Sequence, residues 1–240
     1  MGEYSRSGIL APMRSFGAWL VHLYTASSAL FGVWAIVAIF SHEFRLAIYL
    51  MLLTLVIDST DGALARATQV SRRIPWFDGR RLDDICDFFT YVIVPACFLI
   101  EAELLPHPAW VAAPVLASCY GFSHAEAKTT DHYFRGFPSY WNVVAMYLYL
   151  LGVRPEVGLA VLLGFSFGVF VPLRYIYPSQ TRFLRPVSCA VLGLWILVFS
   201  WVGVRPDPDP LWVRWTLLGP AYYLALSACL NVYRPEETAG

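Results

Sequence analysis

The chain of 240 residues is 58% hydrophobic and only 14% charged, and its 17 basic and 17 acidic residues give a net charge of zero. A soluble domain has about 25% charged residues, so this composition excludes an ordinary soluble globular protein and indicates a bilayer as the solvent. The zero net charge also argues against nucleic acid as a partner. The five cysteines form no CxxC pair and lie in or beside apolar stretches, so neither disulfides nor a zinc site is expected.

Eight apolar stretches in chain order predict an all-α, polytopic membrane protein in a single domain. The predicted spans are roughly 18–40, 45–67, 84–103, 109–127, 139–152, 156–176, 186–203 and 211–231. The fifth is the weakest, because it is short and is followed closely by Gly152 and Pro155. Residues 1–17 are a candidate interfacial helix before the first span.

The basic residues are distributed unevenly between the two ends of these helices. With a cytoplasmic N-terminus and eight spans, thirteen of the 17 Lys and Arg residues fall on the cytoplasmic side. The other four are Arg45, Arg154, Arg205 and Arg214. Cytoplasmic loops carry an excess of positive charge. We therefore expect both termini and residues 66–83 on the cytoplasmic side.

Four aspartates lie at the ends of the second and third predicted spans. Asp58 and Asp61 are three residues apart, whereas Asp83 and Asp87 are four apart, so each pair shares one face of its helix. A turn at Pro75 and Gly79 would fold the two spans into a hairpin and bring the four carboxylates together.

Unpaired carboxylates in such a place repel one another and need a partner. Carboxylate oxygens suit hard divalent cations, so the pattern predicts two Mn²⁺ or Mg²⁺ ions. For a single aspartate, pairing with a nearby arginine is an equal alternative, and we expect it for Asp78 and Asp84 beside Arg80 and Arg81.

The stretch also resembles a known family signature. It reads Asp-x2-Asp-Gly-x2-Ala-Arg, twelve residues, then Gly-x3-Asp-x3-Asp, over residues 58–87. Every fixed position matches the signature of the CDP-alcohol phosphotransferases, which are membrane enzymes of phospholipid synthesis. The spacer before Gly79 is longer than in most members, which resembles the phosphatidylcholine synthase branch. The resemblance implies that residues 18–176 form the family's six-helix core and residues 177–240 two additional helices.

The resemblance also implies a role for each matching residue. Asp58, Asp61, Asp83 and Asp87 would ligate two metal ions, and Asp87 would act as the general base. The nucleotide and its diphosphate would be bound by Thr25, Gly62, Ala65, Arg66 and Gly79. The reaction would be transfer of the phosphatidyl group of CDP-diacylglycerol to an alcohol with release of CMP, in the bacterial inner membrane with the active site facing the cytoplasm. Membrane lipids are further partners, and a homodimer is a further expectation.

The acceptor must be sought elsewhere, because the nucleotide site is common to the family. The segment FRGFPSYWN resembles the phosphatidylcholine synthase branch and predicts choline. Aromatic faces and a nearby carboxylate recognise a quaternary ammonium. The candidate choline-binding residues are Glu126, Tyr140, Trp141 and Asn142. Further candidate aromatics are Tyr24, Tyr91, Tyr120 and Tyr175.

Each of these residues has a plainer interpretation. The aromatic residues would also suit a membrane-interface belt, and Asn142 would also suit a helix cap. Lys128 and Arg135 are candidates for lipid phosphate, or ordinary cytoplasmic basic residues near anionic headgroups. Serine, inositol phosphate or ethanolamine are alternative acceptors, and a divalent-cation transporter is an alternative of another class. Transporter sites usually lie near the bilayer midplane, whereas these acids lie at one end.

Overall fold

A computed structural model describes residues 7–129, 131–205 and 207–233, with side chains from residue 16 onward. Within these ranges the chain is helical apart from connecting loops and two short strands, which confirms the all-α prediction. The two chain ends, 1–6 and 234–240, lie outside the described residues, as does the predicted cytoplasmic location of the termini.

The first two helices, α1 (Ser7–Phe40) and α2 (Phe44–Ala67), form an antiparallel pair joined by a three-residue turn. Small residues such as Ala35 and Ala38 are buried along α1, and Ile48 and Met51 are buried along α2. Small side chains at such an interface let two backbones approach closely. The predicted separate interfacial helix is not observed, because residues 7–17 are continuous with α1.

Three of the described helical stretches are long and apolar enough to cross a membrane. They are Phe16–Phe40, Phe44–Ala67 and Arg185–Gly203, with 25, 24 and 19 residues. Large apolar side chains such as Val37, Phe167 and Leu197 are exposed on the outer surface. A surface of this kind is suited to lipid contact, consistent with the polytopic membrane protein predicted above.

After the four-residue helix α3 (Val70–Arg73), the third predicted span is one continuous helical run. It consists of α4 (Gly79–Phe88), a π-helical segment (Phe89–Ile93) and α5 (Val94–Glu101). The run begins before the predicted 84–103 because Asp78 caps it: its carboxylate accepts the Arg81 N–H at 3.0 Å. The prediction missed this first turn because it is charged.

The middle of the chain contains three shorter helices. They are α6 (Ala112–Ser123), preceded by a 3₁₀ turn (Pro108–Val111), α7 (Trp141–Leu150) and α8 (Pro155–Phe170). The prediction that the sixth span reaches residue 176 was wrong. Pro172 disfavours helical backbone at Val171, which is extended, so the helix ends there.

The chain beyond α8 forms an unpredicted strand pairing. Strand β2 (Arg174–Ile176) pairs antiparallel with β1 (Tyr133–Arg135), which lies in the loop after α6. The hydrogen bond from the Gly136 N–H to the Leu173 carbonyl extends this connection. Two loops far apart in sequence are thus held side by side, which positions Lys128 and Tyr175.

The last part contains α9 (Arg185–Gly203), α10 (Pro210–Thr216) and α11 (Leu218–Tyr233). The predicted eighth span, 211–231, is therefore interrupted at Leu217. Helix α9 packs against α2, and α11 packs against β2. Through this contact, the last described helix, α11, reaches the two strands.

Candidate active site

Three aspartates from two helices converge. One carboxylate oxygen comes from each of Asp58 of α2 and Asp83 and Asp87 of α4. These oxygens lie within 4.8 Å of one another, towards the end of α2 that is predicted to face the cytoplasm. The i, i+4 spacing of Asp83 and Asp87 places them on the same face, as predicted. Helix α4 packs more extensively against α1 than against α2, so α1 forms the third wall of the site.

The fourth aspartate, Asp61, is held separately. It is buried, and its Oδ2 accepts a hydrogen bond of 2.8 Å from the Thr25 hydroxyl of α1. A buried charge-assisted hydrogen bond of this kind fixes the direction of the carboxylate. Thr25 and Asp61, both predicted site residues, are thus joined directly. We call the four aspartates 58, 61, 83 and 87 the acid site.

A tyrosine completes the surroundings of Asp58. The Tyr91 hydroxyl donates to Asp58 Oδ2 at 2.6 Å. Tyr91 lies four residues after Asp87 and inside the π-helical segment. Its position one turn after Asp87 was a usable signal, although the sequence indicated Tyr91 only as one of several further aromatic candidates.

Lys128 is the cation nearest to the acid site in the described structure. Its Nζ lies 3.0 Å from Asp84 Oδ1 and 3.7 Å from Asp83 Oδ2. Burial alone would lower the pKa of Lys128, but the charges of Asp83, Asp84 and Asp87 outweigh burial and raise it above its ordinary value. The ammonium group is therefore charged at neutral pH. The expected pairing of Asp84 with an arginine is replaced by this lysine.

The acid site suits a hard cation. Its ligand set is made only of carboxylates, which Mg²⁺ and Mn²⁺ prefer. The ammonium group of Lys128 already occupies the position of a counter-ion beside Asp83. Carboxylates this close need positive charge to remain ionised together.

The remaining predicted nucleotide residues line the neighbouring ends of α2 and α4. A Cβ at Gly62 would lie 3.3 Å from Arg66 Nη1, so Gly62 leaves room for the guanidinium group. Arg66 is exposed and Ala65 is partly buried. Gly79, the first residue of α4, packs against the ring of His22. His22 was not among the predicted site residues.

Two of the four predicted choline residues are engaged elsewhere. Trp141 is almost fully buried in the core, and its Nε1 donates to the Ser118 hydroxyl at 2.7 Å. Glu126 lies beyond the end of α6, which stops at Ser123, and is exposed and paired with Arg135. Its assignment to choline stays a prediction, although Glu126 is not part of a helix as the predicted span 109–127 required.

Of the other two predicted choline residues, Tyr140 lies near the acid site and Asn142 has a hydrogen-bond donor that the described residues leave unpaired. The Tyr140 ring lies 5.8 Å from the Tyr91 ring, centroid to centroid. Asn142 is fully buried; its Oδ1 accepts the Val143 N–H at 2.8 Å, whereas its Nδ2 has no partner among the described residues.

Tyr140 is part of a chain of tyrosine rings. The Tyr223 ring of α11 lies 5.7 Å from Tyr140, and the Tyr175 ring of β2 stacks on Tyr223 at 6.2 Å. We call Tyr91, Tyr140, Tyr175 and Tyr223 the tyrosine cluster. Tyr223 was missed, and no local signal could have identified it, because only the packing of α11 on β2 brings it there.

Comparisons with known proteins agree with this geometry. The family model described as CDP-alcohol phosphatidyltransferase matches residues 19–173. A relative from Legionella pneumophila subsp. pneumophila, named phosphatidylcholine synthase, is 37% identical over 229 residues, which cover 91% of this chain and 90% of the relative. A protein of the same name from Pseudomonas aeruginosa is 32% identical over 221 residues, covering 90% and 93%.

A third relative with this name, from Borreliella burgdorferi, is 35% identical over 185 residues, or 76% of this chain and 79% of that protein. The matched family region contains the complete acid site together with Thr25 and Gly79. The chain therefore belongs to the CDP-alcohol phosphatidyltransferase family.

Proposed function

We propose that this protein is a phosphatidylcholine synthase, which transfers the phosphatidyl group of CDP-diacylglycerol to choline and releases CMP. The observation that carries the proposal is the contact between the acid site and the tyrosine cluster, through the hydrogen bond from Tyr91 to Asp58. A site for activating an alcohol therefore adjoins a group of aromatic rings. The names of the relatives support the same reaction.

On the donor side, Asp58, Asp61, Asp83 and Asp87 of the acid site would hold two Mn²⁺ or Mg²⁺ ions. When bound, such ions neutralise the diphosphate and stabilise the departing phosphate. Thr25 orients Asp61 toward this site through its hydroxyl. Gly62, Ala65 and Gly79 would lie beside the nucleotide, and the positive charges of Arg66 and Lys128 would face its phosphates. Arg135, the other residue predicted to bind lipid phosphate, is exposed and paired with Glu126, so we do not assign it to the diphosphate.

Asp87 is the general base in this proposal. It takes the proton of the choline hydroxyl as the choline oxygen forms a bond with the phosphatidyl phosphorus of the donor. The bond between that phosphorus and the oxygen bridging to CMP breaks, and CMP leaves with the bridging oxygen and its electron pair. Asp87 is next to Asp58 and Asp83, so the base lies within the same group of oxygens that binds the ions.

The tyrosine cluster binds the acceptor. A quaternary ammonium has no N–H to donate, so it is recognised by the faces of aromatic rings. Tyr140, Tyr175 and Tyr223 offer such faces, and Tyr140 lies beside Tyr91 near the base. Asn142, with its free Nδ2, is a candidate for orienting the choline hydroxyl. The family assignment favours transfer over cation transport.

The positive-inside pattern supports an inner-membrane protein with the acid site at the cytoplasmic face. Helices α1–α8 would form the six-helix catalytic core, and α9–α11 the two additional spans. Helix α11 also contributes Tyr223, so the additional spans take part in acceptor binding.

The proposal is tested by measuring CMP release from CDP-diacylglycerol by the purified protein, with and without choline. We expect release to depend on choline and on Mn²⁺ or Mg²⁺. A neutral isostere in which carbon replaces the choline nitrogen should compete far less well than a quaternary amine. Release with serine, inositol phosphate or ethanolamine but not with choline would contradict the proposed acceptor and preserve the family chemistry.

A further inference from the structure

His22 is a buried side chain on α1 to which neither the sequence signature nor the proposed reaction assigns a role. Only 6% of it is exposed, and its Nε2 is buried without a hydrogen-bond partner among the described residues. Buried polar atoms are nearly always paired, and an exception in a native structure calls for a missing partner. A partner that is not part of the protein would account for it.

The position of His22 connects it to the nucleotide end of the acid site. His22 precedes Thr25 by three residues, so the two side chains share one face of α1. Thr25 bonds Asp61 on that face. His22 also touches Gly79: a Cβ at Gly79 would lie 2.7 Å from His22 Cε1. Gly79 is one turn before Asp83, so His22 lies about one turn away from the acid site along both helices.

The surroundings of His22 are aromatic rather than charged. Its ring lies 4.4 Å from the Phe77 ring and 5.8 Å from the Trp19 ring, centroid to centroid. Phe77 in turn packs against a small hydrophobic cluster that includes Ile74 and Ala18. Flat apolar faces suit a planar ring and offer nothing to an anionic phosphate. A neutral imidazole with its proton on Nδ1 accepts one hydrogen bond at Nε2; the amino group of cytosine can donate that bond, whereas the carbonyl oxygen at the same position of uracil cannot.

We propose that Nε2 of His22 hydrogen-bonds the cytosine base of the CDP-containing donor and sets the preference for cytidine over uridine nucleotides. The proposal deepens the proposed function and rests on its nucleotide donor, not on choline. The diphosphate lies at the acid site, and the base extends from it by one turn toward Gly79 and His22. Gly79 is required as glycine because the imidazole occupies the space of its side chain.

The test uses His22→Phe in the full-length protein, purified with Mn²⁺ and without any acceptor. Phenylalanine keeps an aromatic ring, somewhat larger than imidazole, and removes the unpaired Nε2, so we expect the ligand-free protein to stay folded. Affinity for CMP should fall about 10-fold, which is the effect of one lost hydrogen bond of ~1.4 kcal/mol. Binding of inorganic pyrophosphate should not change, and the preference for CMP over UMP should decrease.

His22→Gln is the conservative variant, because its amide oxygen can replace Nε2 as the acceptor, and it should retain most of the CMP affinity. Wild-type CMP affinity in His22→Phe would overturn the proposal, as would an equal loss of CMP and pyrophosphate binding. If His22→Phe does not fold, the proposal requires His22→Gln to fold with near-normal CMP affinity, and its failure to do so would assign His22 to packing. If CMP binding depends on His22 as expected but CMP release does not depend on choline, only the choice of choline as acceptor is contradicted.

Discussion

The acid site and the tyrosine cluster are adjacent, yet they are built in different ways. The four aspartates of the acid site lie within one segment of 30 residues, Asp58 to Asp87, and their grouping follows from helical spacing. The tyrosine cluster draws on four separate elements and depends on the pairing of β1 with β2. The comparison teaches that the acid site is encoded by local sequence spacing, whereas the proposed acceptor site is formed by long-range packing.

The strongest challenge to this division is Asp87→Asn. If the acid site supplies the chemistry, CMP release should fall by at least ~100-fold, because the base is removed. The protein should remain folded, since the amide has nearly the same shape. Asp78→Asn is the matched control, because asparagine also caps a helix well and Asp78 lies outside the acid site. Near-normal release by Asp87→Asn would remove Asp87 from the role of base.

Replacing a ring of the tyrosine cluster should affect choline binding selectively. Tyr140→Leu should raise KM for choline about 10-fold, since one cation–π face is lost, and leave CMP binding unchanged. Tyr120→Leu is the matched control, because Tyr120 is an exposed tyrosine outside the cluster. An equal change of KM in both variants would show that the cluster does not bind the acceptor.

Lys128 is the counter-ion beside the acid site, and Lys128→Met tests that role. Removing the ammonium leaves Asp83 and Asp84 without their counter-ion, so unfolding free energy should fall by about 1 kcal/mol, a value reduced for partial exposure. Mn²⁺ should restore most of the difference in a thermal unfolding experiment.

The pKa of Lys128 fixes the pH range of this effect. Because the pKa is raised in the folded protein, the stabilisation is complete below the ordinary value of 10.5 and is lost only as pH rises above it. The difference between the two proteins should therefore be constant from neutral to mildly alkaline pH. The exposed Arg182→Met is a control, and a loss of stability that Mn²⁺ fails to reduce would contradict the counter-ion role.

The smallest effect is expected for Glu126→Gln. The exposed pair of Glu126 with Arg135 contributes little, so stability should change by less than ~0.5 kcal/mol and KM for choline by no more than ~2-fold. A 10-fold rise in KM would instead support the sequence-based assignment of Glu126 to choline and place the acceptor nearer the loop.

The same division explains how far the sequence could predict the molecule. Helical periodicity alone brings Asp83 and Asp87 to one face, and apolar stretches locate most helices to within a few residues. Periodicity cannot report that Thr25 bonds Asp61 or that Lys128 reaches Asp84, because both are contacts between distant segments. Hydropathy also mistook Arg174–Ile176 for helix, since three apolar-flanked residues carry no sign of their partner strand.

The π-helical segment Phe89–Ile93 has a geometric consequence for the third span. A wider turn accommodates an extra residue, which rotates everything after it by about 100° relative to an uninterrupted α-helix. The face that α4 directs at the acid site is thereby set independently of the face that α5 directs at its neighbours. One continuous helical run can in this way direct its polar half and its buried apolar half independently, and the extra residue in the wide turn sets the angle between the two faces.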